Sequence, residues 1–338
     1  MTAQRRNRNM QRKLILKRLV LVVIILFTTT LMLSGCYRSE QDGSDKISII
    51  STIFPQYDWT RQIIGEENLD RFDLTLLIDS RIDLHSYNPS VQDIARIKTC
   101  DVFIYVGGDS DSWVENLLID ANPDMITLNL IDILGNLVKY DDHDHDECEE
   151  EHEHGEHHVD EHVWLSLRHA ARICAAIADA LAEVDPANAQ VYRNNLESYA
   201  AKLSDLDAGY QAVVDAANVT ALVFADRFPF IYLMDDYGLE HYAAFQGCSA
   251  ETEASFITII SLANRLDQIG LDVVMVTESS NQSIARTVIR ETKGKNQRIL
   301  VLDSMQSVNS TDVKSSVTYL SIMESNLAVL KEALKVKE

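Results

Sequence analysis

The chain has 338 residues and a formal net charge of −22 at neutral pH. This length is enough for two domains of ordinary size. The acidic excess argues against a nucleic-acid-binding protein, because phosphate recognition requires a basic face.

The first 35 residues have the layout of a secretion signal. The basic segment MTAQRRNRNMQRKLILKR precedes the apolar run LVLVVIILFTTTLMLSGC. An uncleaved membrane anchor is the alternative, because the run is about as long as a short membrane span. The segment Leu33-Ser34-Gly35-Cys36 resembles a bacterial lipobox, which favours removal of residues 1–35 and lipidation of Cys36. We therefore expect residues 36–46 to form a tether outside the cell membrane of a bacterium.

Between residues 47 and 184, apolar segments alternate with amphipathic ones. The predicted strands are KISIIST, FDLTLLI, DVFIYVGG and MITLNLID, and the predicted helices are PQYDWTRQIIG, SVQDIARIKTC, SWVENLLIDA and RHAARICAAIADALAEV. Strands that alternate with helices predict a parallel sheet covered by helices on both faces. Cys100 and Cys174 lie on the helical patterns, where we expect buried thiols.

Residues 185–217 predict one long helix. Asp185 is placed to cap it and Pro186 to occupy its first position. About thirty helical residues would extend roughly 45 Å, which suits a rigid connector between two lobes.

The alternating pattern resumes in residues 218–338. The predicted strands are TALVFA, EHYAAF, LDVVMVT and QRILVLD, separated by helical segments and followed by a long helix from about Ser310 to Lys335. The predicted fold is therefore α/β, with two lobes of mostly parallel sheet joined by one helix. A ligand would bind in the cleft between the lobes, beyond the carboxyl ends of the strands.

Polar side chains with metal-binding chemistry cluster at those strand ends. They are His85, His162, Asp226, Glu278 and Asp303. Mixed imidazole and carboxylate ligands suit Zn²⁺ or Mn²⁺.

Each of these residues also has an ordinary structural interpretation. A loop histidine such as His85 is often a surface residue, and the alternative role of His162 is a helix cap. The alternative for Asp226 is an ion pair with Arg227, and for Glu278 it is to accept hydrogen bonds from the Ser-rich turn that follows it. The alternative for Asp303 is to cap the next turn. The metal-site hypothesis depends on all five residues lying at one end of their strands.

Several motifs together resemble the metal-binding lipoproteins of bacterial ABC importers for zinc and manganese (cluster A-I). They are the lipobox, STIFPQYDWTRQI, DLHSYNPSVQDI, DVFIYVGGDSDSWV, DEHVWLSL, YGL, VTESS and VLDS. The resemblance extends over the chain from Cys36 and implies that His85, His162 and Asp303 are metal ligands. Glu278 is implied as an alternative ligand or as a group that orients a ligand histidine.

The third ligand of that family has no clear counterpart here. The family usually has His or Glu shortly after the first strand of the second lobe. An ungapped count back from YGL arrives at Arg227, which cannot bind a cation, and a one-residue shift arrives at Asp226. We take Asp226 as the predicted ligand.

Residues 141–161 form a tract of alternating histidine and acid. Zinc-type members of the family often carry such an insertion just before the second ligand. The tract has too few apolar residues to fold by itself, so we interpret it as a loop of weak auxiliary metal sites. The alternative is a solvated acidic loop without a role. The auxiliary ligands would be His143, His145, Cys148, His152, His154, His157 and His158.

The function that these observations predict is metal capture without catalysis. The resemblance implies a monomeric extracytoplasmic receptor that binds Zn²⁺ and delivers it to an ABC permease and its ATPase. A manganese receptor is the nearest alternative, because two histidines and two carboxylates also suit Mn²⁺. A secreted metallohydrolase would need a motif such as HExxH on a helix, which the sequence lacks. A passive metal buffer or surface adhesin would not require two lobes and a connecting helix.

Overall fold

The computed structural model describes residues 46–79, 82–140, 159–245 and 254–336. The predicted signal peptide, Cys36 and the seven auxiliary ligands of the His-rich tract lie outside the described residues. Among the described helices, none has both the length and the apolar character needed to cross a bilayer.

The first lobe is built on a four-stranded parallel sheet with the order β2-β1-β3-β4. Its strands are β1 (Ile47–Ser51), β2 (Phe72–Leu76), β3 (Val102–Tyr105) and β4 (Ile126–Asn129). Its helices are α1 (Phe54–Ile64), α2 (Val91–Ile97), α3 (Trp113–Leu118), α4 (Leu130–Leu134) and α5 (Leu167–Val184). Ser166 caps α5 by accepting a hydrogen bond from the backbone N–H of His169, so α5 begins directly after the chain has passed His162.

A single long helix, α6 (Ala189–Asp215), connects the lobes. Its 27 residues correspond to about 40 Å. It contacts both lobes, since Asn195 donates to the carbonyl of Ile63 and Tyr210 donates to the carbonyl of Met323. Asp185 and Pro186 do begin this helical segment, but as the N-cap and first residue of a 3₁₀ turn, and the Asp185 side chain makes no capping hydrogen bond. A 3₁₀ turn over Pro186–Asn188 precedes α6, and the buried Asp185 carboxylate accepts hydrogen bonds from Arg71, Asn188 and Tyr192.

The second lobe repeats the architecture with the strand order β6-β5-β7-β8, again parallel. Its strands are β5 (Ala221–Phe224), β6 (Glu240–Ala243), β7 (Val273–Thr277) and β8 (Arg298–Leu302). Its helices are α7 (Ile231–Asp236), α8 (Phe256–Ile269), α9 (Ser283–Glu291), α10 (Ser310–Lys314) and α11 (Tyr319–Ala333). The predicted α/β fold with two parallel sheets is confirmed.

The long final helix predicted from Ser310 to Lys335 is wrong, because the structure divides it into α10 and α11. Ser316 lies between them with a positive φ of 67°, a conformation that a helix does not accommodate. Thr318 then caps α11 by accepting from the backbone N–H of Ser321. The polar stretch that looks helical in sequence therefore contains a stop and a new start.

Buried aromatic residues join the two lobes at the base of the cleft. The indole of Trp164 in the first lobe donates to the carbonyl of Ser304 in the second, at 2.9 Å. Tyr319 at the start of α11 donates to the carbonyl of Trp164, and its ring packs on Trp59 at a centroid distance of 5.0 Å. These contacts hold the carboxyl ends of both sheets toward each other. Cys100 and Cys174 are buried free thiols, as predicted.

Candidate metal centre

Two histidines of the first lobe meet at the cleft. His85 lies in a 3₁₀ turn, Leu84–Ser86, in the loop that follows β2, and His162 precedes the 3₁₀ turn Val163–Leu165 that leads into α5. Their Nε2 atoms are 3.4 Å apart. Two nitrogen ligands of a tetrahedral zinc ion, each about 2.0–2.1 Å from the metal, are themselves separated by about 3.3–3.4 Å. The pair therefore has the spacing of one edge of a tetrahedral zinc site.

The opposite ring nitrogens of both histidines face carboxylates. The Nδ1 atom of His162 is 3.0 Å from Asp160 Oδ1, and the Nδ1 atom of His85 is 3.2 Å from Glu161 Oε2. A neutral imidazole that donates its Nδ1 proton to a carboxylate has its lone pair on Nε2, and the carboxylate makes that lone pair more basic. When both rings have this tautomer, the two Nε2 lone pairs repel each other, and either a metal cation or a proton between the nitrogens removes the repulsion.

The buried carboxylate of Glu161 also holds the loop after β3. The hydroxyl oxygen of Ser110 is 2.6 Å from His85 Nδ1. Both the backbone N–H and the hydroxyl of Ser110 donate to Glu161. Burial alone would raise the pKa of Glu161, but the hydrogen bonds from His85 and Ser110 outweigh it and lower the pKa. Glu161 therefore remains an anion, which suits a partner of a metal-binding imidazole.

Gly108 and Asp111 shape this loop. A Cβ on Gly108 would lie 2.5 Å from Glu161 Oε1, and its φ of 78° also favours glycine. Asp111 is buried and accepts hydrogen bonds from the backbone N–H groups of Val106 and Gly107. Burial, together with the charge of Glu161, raises the pKa of Asp111 to about 6.

Burial differs between the two histidines. The side chain of His162 is 2% exposed, whereas that of His85 is 28% exposed. His162 is thus the more buried member of the pair, and the pair is open to solvent on the side of His85.

The three carboxylates predicted in the second lobe make local hydrogen bonds. Asp226 accepts from the backbone N–H and the hydroxyl of Thr277, which ties the loop after β5 to β7. Glu278 accepts from the backbone N–H and the hydroxyl of Ser304. Asp303 accepts a hydrogen bond from the backbone N–H of Met305. It thus caps the turn, which is the alternative role that its sequence position indicates.

Within the described residues, no group of three or more His, Cys, Asp or Glu side chains is arranged to hold a metal ion. The structure brings His85 and His162 together but leaves Asp226, Glu278 and Asp303 outside such a group. The ligand roles of these three carboxylates stay predictions.

Asp160 and Glu161 are the site residues that the sequence analysis missed. Both occupy the last positions of the tract 141–161, whose composition predicts a loop of weak sites. Both are buried, and Asp160 is fixed by a backbone hydrogen bond to Lys139 and by the hydroxyl of Tyr232. The sequence signal for them is the direct succession Asp-Glu-His at residues 160–162, which places two acids beside a predicted ligand.

A cavity of about 160 Å³ opens between the lobes. It is lined by Asp83 from the first lobe and, from the second, by Arg227, Pro229, Thr277, Ser279, Ser304, Gln306 and Ser307. Arg227 reaches across this cavity, with Nη1 3.2 Å from Asp83 Oδ2.

Comparison with known proteins identifies the family. The family model "ZnuA: Zinc-uptake complex component A periplasmic" matches residues 49–333. Among curated relatives, the zinc-binding lipoprotein AdcA of Streptococcus pneumoniae (strain ATCC BAA-255 / R6) is 31% identical over 314 residues, which cover 89% of this chain and 58% of AdcA. The high-affinity zinc uptake system protein ZnuA of Bacillus subtilis is 29% identical over 316 residues, covering 91% of this chain and 95% of that protein.

Solved structures agree with this assignment. The Zn(II)-bound ZnuA-like domain of Streptococcus pneumoniae AdcA matches with a TM-score of 0.66 at 27% identity, covering 86% of this chain and 99% of that domain. The metal-dependent lipoprotein YcdH from Bacillus subtilis matches with a TM-score of 0.69 at 25% identity and the same coverage. The chain thus spans little more than half the length of full AdcA but nearly all of its ZnuA-like domain. The chain belongs to the ZnuA family, and the resemblance drawn from its motifs is confirmed.

Proposed function

We propose that this member of the ZnuA family is an extracytoplasmic receptor that captures Zn²⁺ and delivers it to an ABC-type permease. The observation that carries the proposal is the His85–His162 pair, whose Nε2 atoms are 3.4 Å apart and whose Nδ1 atoms face carboxylates. Nothing in this arrangement calls for turnover, since the site binds an ion and releases it. The protein then acts as a receptor and not as an enzyme.

Zinc fits the pair better than manganese does. Zn²⁺ favours imidazole nitrogen in tetrahedral sites, whereas Mn²⁺ favours carboxylate oxygen in octahedral ones. The two groups that meet at the cleft are imidazoles, and the carboxylates beside them bind the imidazoles from behind. The names of AdcA and ZnuA, which describe those proteins as zinc-binding and as part of zinc uptake, support the same metal.

The proposed location and partners follow from the N-terminal sequence and the family. Lipidation of Cys36 would hold the receptor at the outer face of the cell membrane, next to the permease that accepts the ion. The permease would be driven by its own ATPase, and the receptor would act as a monomer. Residues 141–158 would collect cations weakly beside the cleft, because the acidic tract raises their local concentration.

Affinity measurements on single variants test this proposal. In untagged full-length protein, His85→Ala and His162→Ala should each weaken zinc binding by well over tenfold, since each removes one of two nitrogen ligands. His241→Ala removes an imidazole from β6 of the second lobe and serves as the control. Competition between Zn²⁺ and Mn²⁺ should favour zinc. An unchanged zinc affinity in both site variants would contradict the assignment.

A further inference from the structure

Arg227 and Asp83 form an ion pair that crosses the cleft next to the histidine pair. The guanidinium Nη1 of Arg227 is 3.2 Å from Asp83 Oδ2, and both side chains are partly buried. The other oxygen, Asp83 Oδ1, is 4.0 Å from His85 Nε2. Asp83 thus stands between an arginine of the second lobe and the ring atom that faces the metal position.

We propose that Asp83 is a third protein ligand of the bound zinc ion, and that the ion pair with Arg227 competes with this role. This inference rests on the proposed function of the histidine pair. On binding, Asp83 exchanges one cationic partner, the guanidinium, for another, the zinc ion. The family usually has a metal ligand in the loop after β5. In this chain Arg227 lies in that loop, where it competes with the zinc ion for Asp83.

The geometry requires only a small displacement of Asp83. In a tetrahedral zinc site a carboxylate oxygen lies about 3.3 Å from a ligand nitrogen, so Asp83 Oδ1 must approach His85 Nε2 by roughly 0.7 Å. The backbone N–H of His85 donates to the same oxygen at 3.0 Å. That hydrogen bond uses one lone pair and leaves another for a metal, so the turn that carries His85 stays intact.

The predicted ligand carboxylates of the second lobe, and the two acids before His162, make other contacts. Asp160 and Glu161 lie on the Nδ1 side of the imidazoles and cannot reach the Nε2 side without releasing them. Asp226 and Glu278 accept hydrogen bonds from Thr277 and Ser304 inside the second lobe. Asp83, by comparison, has its Oδ1 atom 4.0 Å from an Nε2 atom of the pair.

Charge explains why the exchange is favourable. A divalent ion at the histidine pair attracts Asp83 more strongly than a monovalent guanidinium does, and it repels Arg227. The released guanidinium has room, because Arg227 also lines a second cavity of about 200 Å³ with the polar side chains of Ser279, Ser280, Asn281 and Ser283. Because the ion pair joins the two lobes, its loss on zinc binding also removes one contact across the cleft.

Two substitutions with opposite predicted effects test the proposal. Asp83→Asn keeps an oxygen that caps the His85 turn but removes the anionic ligand, and should weaken zinc binding by at least tenfold. Arg227→Gln removes the competitor and should strengthen zinc binding by roughly fivefold, the upper range for a partly exposed ion pair. The double variant should bind zinc like Asp83→Asn alone, because the competitor has no effect once the ligand is gone.

The measurement is a competition titration of each untagged full-length variant against a chromophoric zinc chelator. Arg298→Gln is the matched control, since it removes the same charge from a partly exposed ion pair with Glu332 at the start of β8. Thermal unfolding of the metal-free variants checks that each one folds. The control should bind zinc like the wild type.

The outcomes separate this proposal from the function on which it rests. If Asp83 and Arg227 only brace the cleft, both substitutions break the same contact and shift the affinity in the same direction, which overturns the proposal. An Asp83→Asn variant with wild-type affinity also overturns it, while loss of binding in His85→Ala would still support the histidine site. Wild-type affinity in His85→Ala would refute the proposed function itself.

Discussion

Replacing Asp160 with Asn should weaken zinc binding about tenfold without unfolding the protein. The backbone N–H of His162 donates to Asp160 Oδ1 at 2.9 Å, and the Nδ1 atom of the same histidine is 3.0 Å from that oxygen. An Asn oxygen at that place still accepts both, so the ring orientation and the tautomer are retained. What is lost is the negative charge that makes the Nε2 lone pair more basic.

The expected magnitude follows from these two contacts. Removing a carboxylate that supports a metal-binding histidine generally lowers metal affinity by about 10–100-fold. Asp160→Asn keeps the geometry and should lie near the lower limit, about 1.4 kcal/mol. Asp160→Ala loses both hydrogen bonds and should approach a hundredfold.

Competition with a chromophoric chelator at fixed pH measures both variants. Asp124→Asn removes an exposed carboxylate from the same lobe and is the control for net charge. Equal zinc affinity in wild type, Asp160→Asn and Asp160→Ala would refute the view that Asp160 orients and polarises His162.

Three further predictions concern the N-terminus, the acidic tract and pH. Mass spectrometry of membrane-extracted protein should find diacylglyceryl on Cys36, and an intact N-terminus at Met1 would contradict lipidation. Replacing residues 141–158 with Gly-Gly should close a two-residue hairpin, because Tyr140 and Val159 form an antiparallel bridge. Calorimetry should then show loss of weak zinc sites and one tight site with a nearly unchanged dissociation constant, whereas loss of the tight site would place the metal in the tract. Asp111 has a pKa raised from 3.8 to about 6, so the stability it contributes is complete below about pH 4 and is lost as pH rises through about 6, by on the order of 3 kcal/mol. Asp111→Asn is neutral at every pH, so it should remove this contribution to the decrease in the free energy of unfolding between pH 4 and pH 7, as measured by denaturant unfolding. The same decrease in the variant as in the wild type would contradict the assigned pKa.

The order of elements was predictable because each one has a local signature. Strands such as Val102–Tyr105 and Val273–Thr277 are short apolar runs, and α5 has an apolar face at helical spacing. Parallel pairing then follows from the alternation of strands and helices. The proximity of His85 and His162 was also predictable, because both lie near the carboxyl edge of the same parallel sheet.

The direction of a side chain was not predictable in this way. Asp226 and Asp303 lie beyond strand ends as expected, yet each accepts a nearby backbone N–H, of Arg227 and of Met305. Such short-range hydrogen bonds compete with a ligand role and depend on loop geometry that strand order does not determine. For the same reason Asp160 and Glu161 could not be separated from the polar tract before them, because their burial arises from contacts with residues distant in sequence.

Zinc K-edge X-ray absorption on the one-to-one complex shows directly whether two imidazoles bind the ion. It should be recorded for the full-length protein and for the variant in which Gly-Gly replaces residues 141–158. We expect the same spectrum for both, with a shell of nitrogen and oxygen at about 2.0 Å that includes the multiple scattering of two imidazoles. A sulfur shell at about 2.3 Å, or imidazole scattering that disappears with the tract, would contradict a zinc site built on His85 and His162.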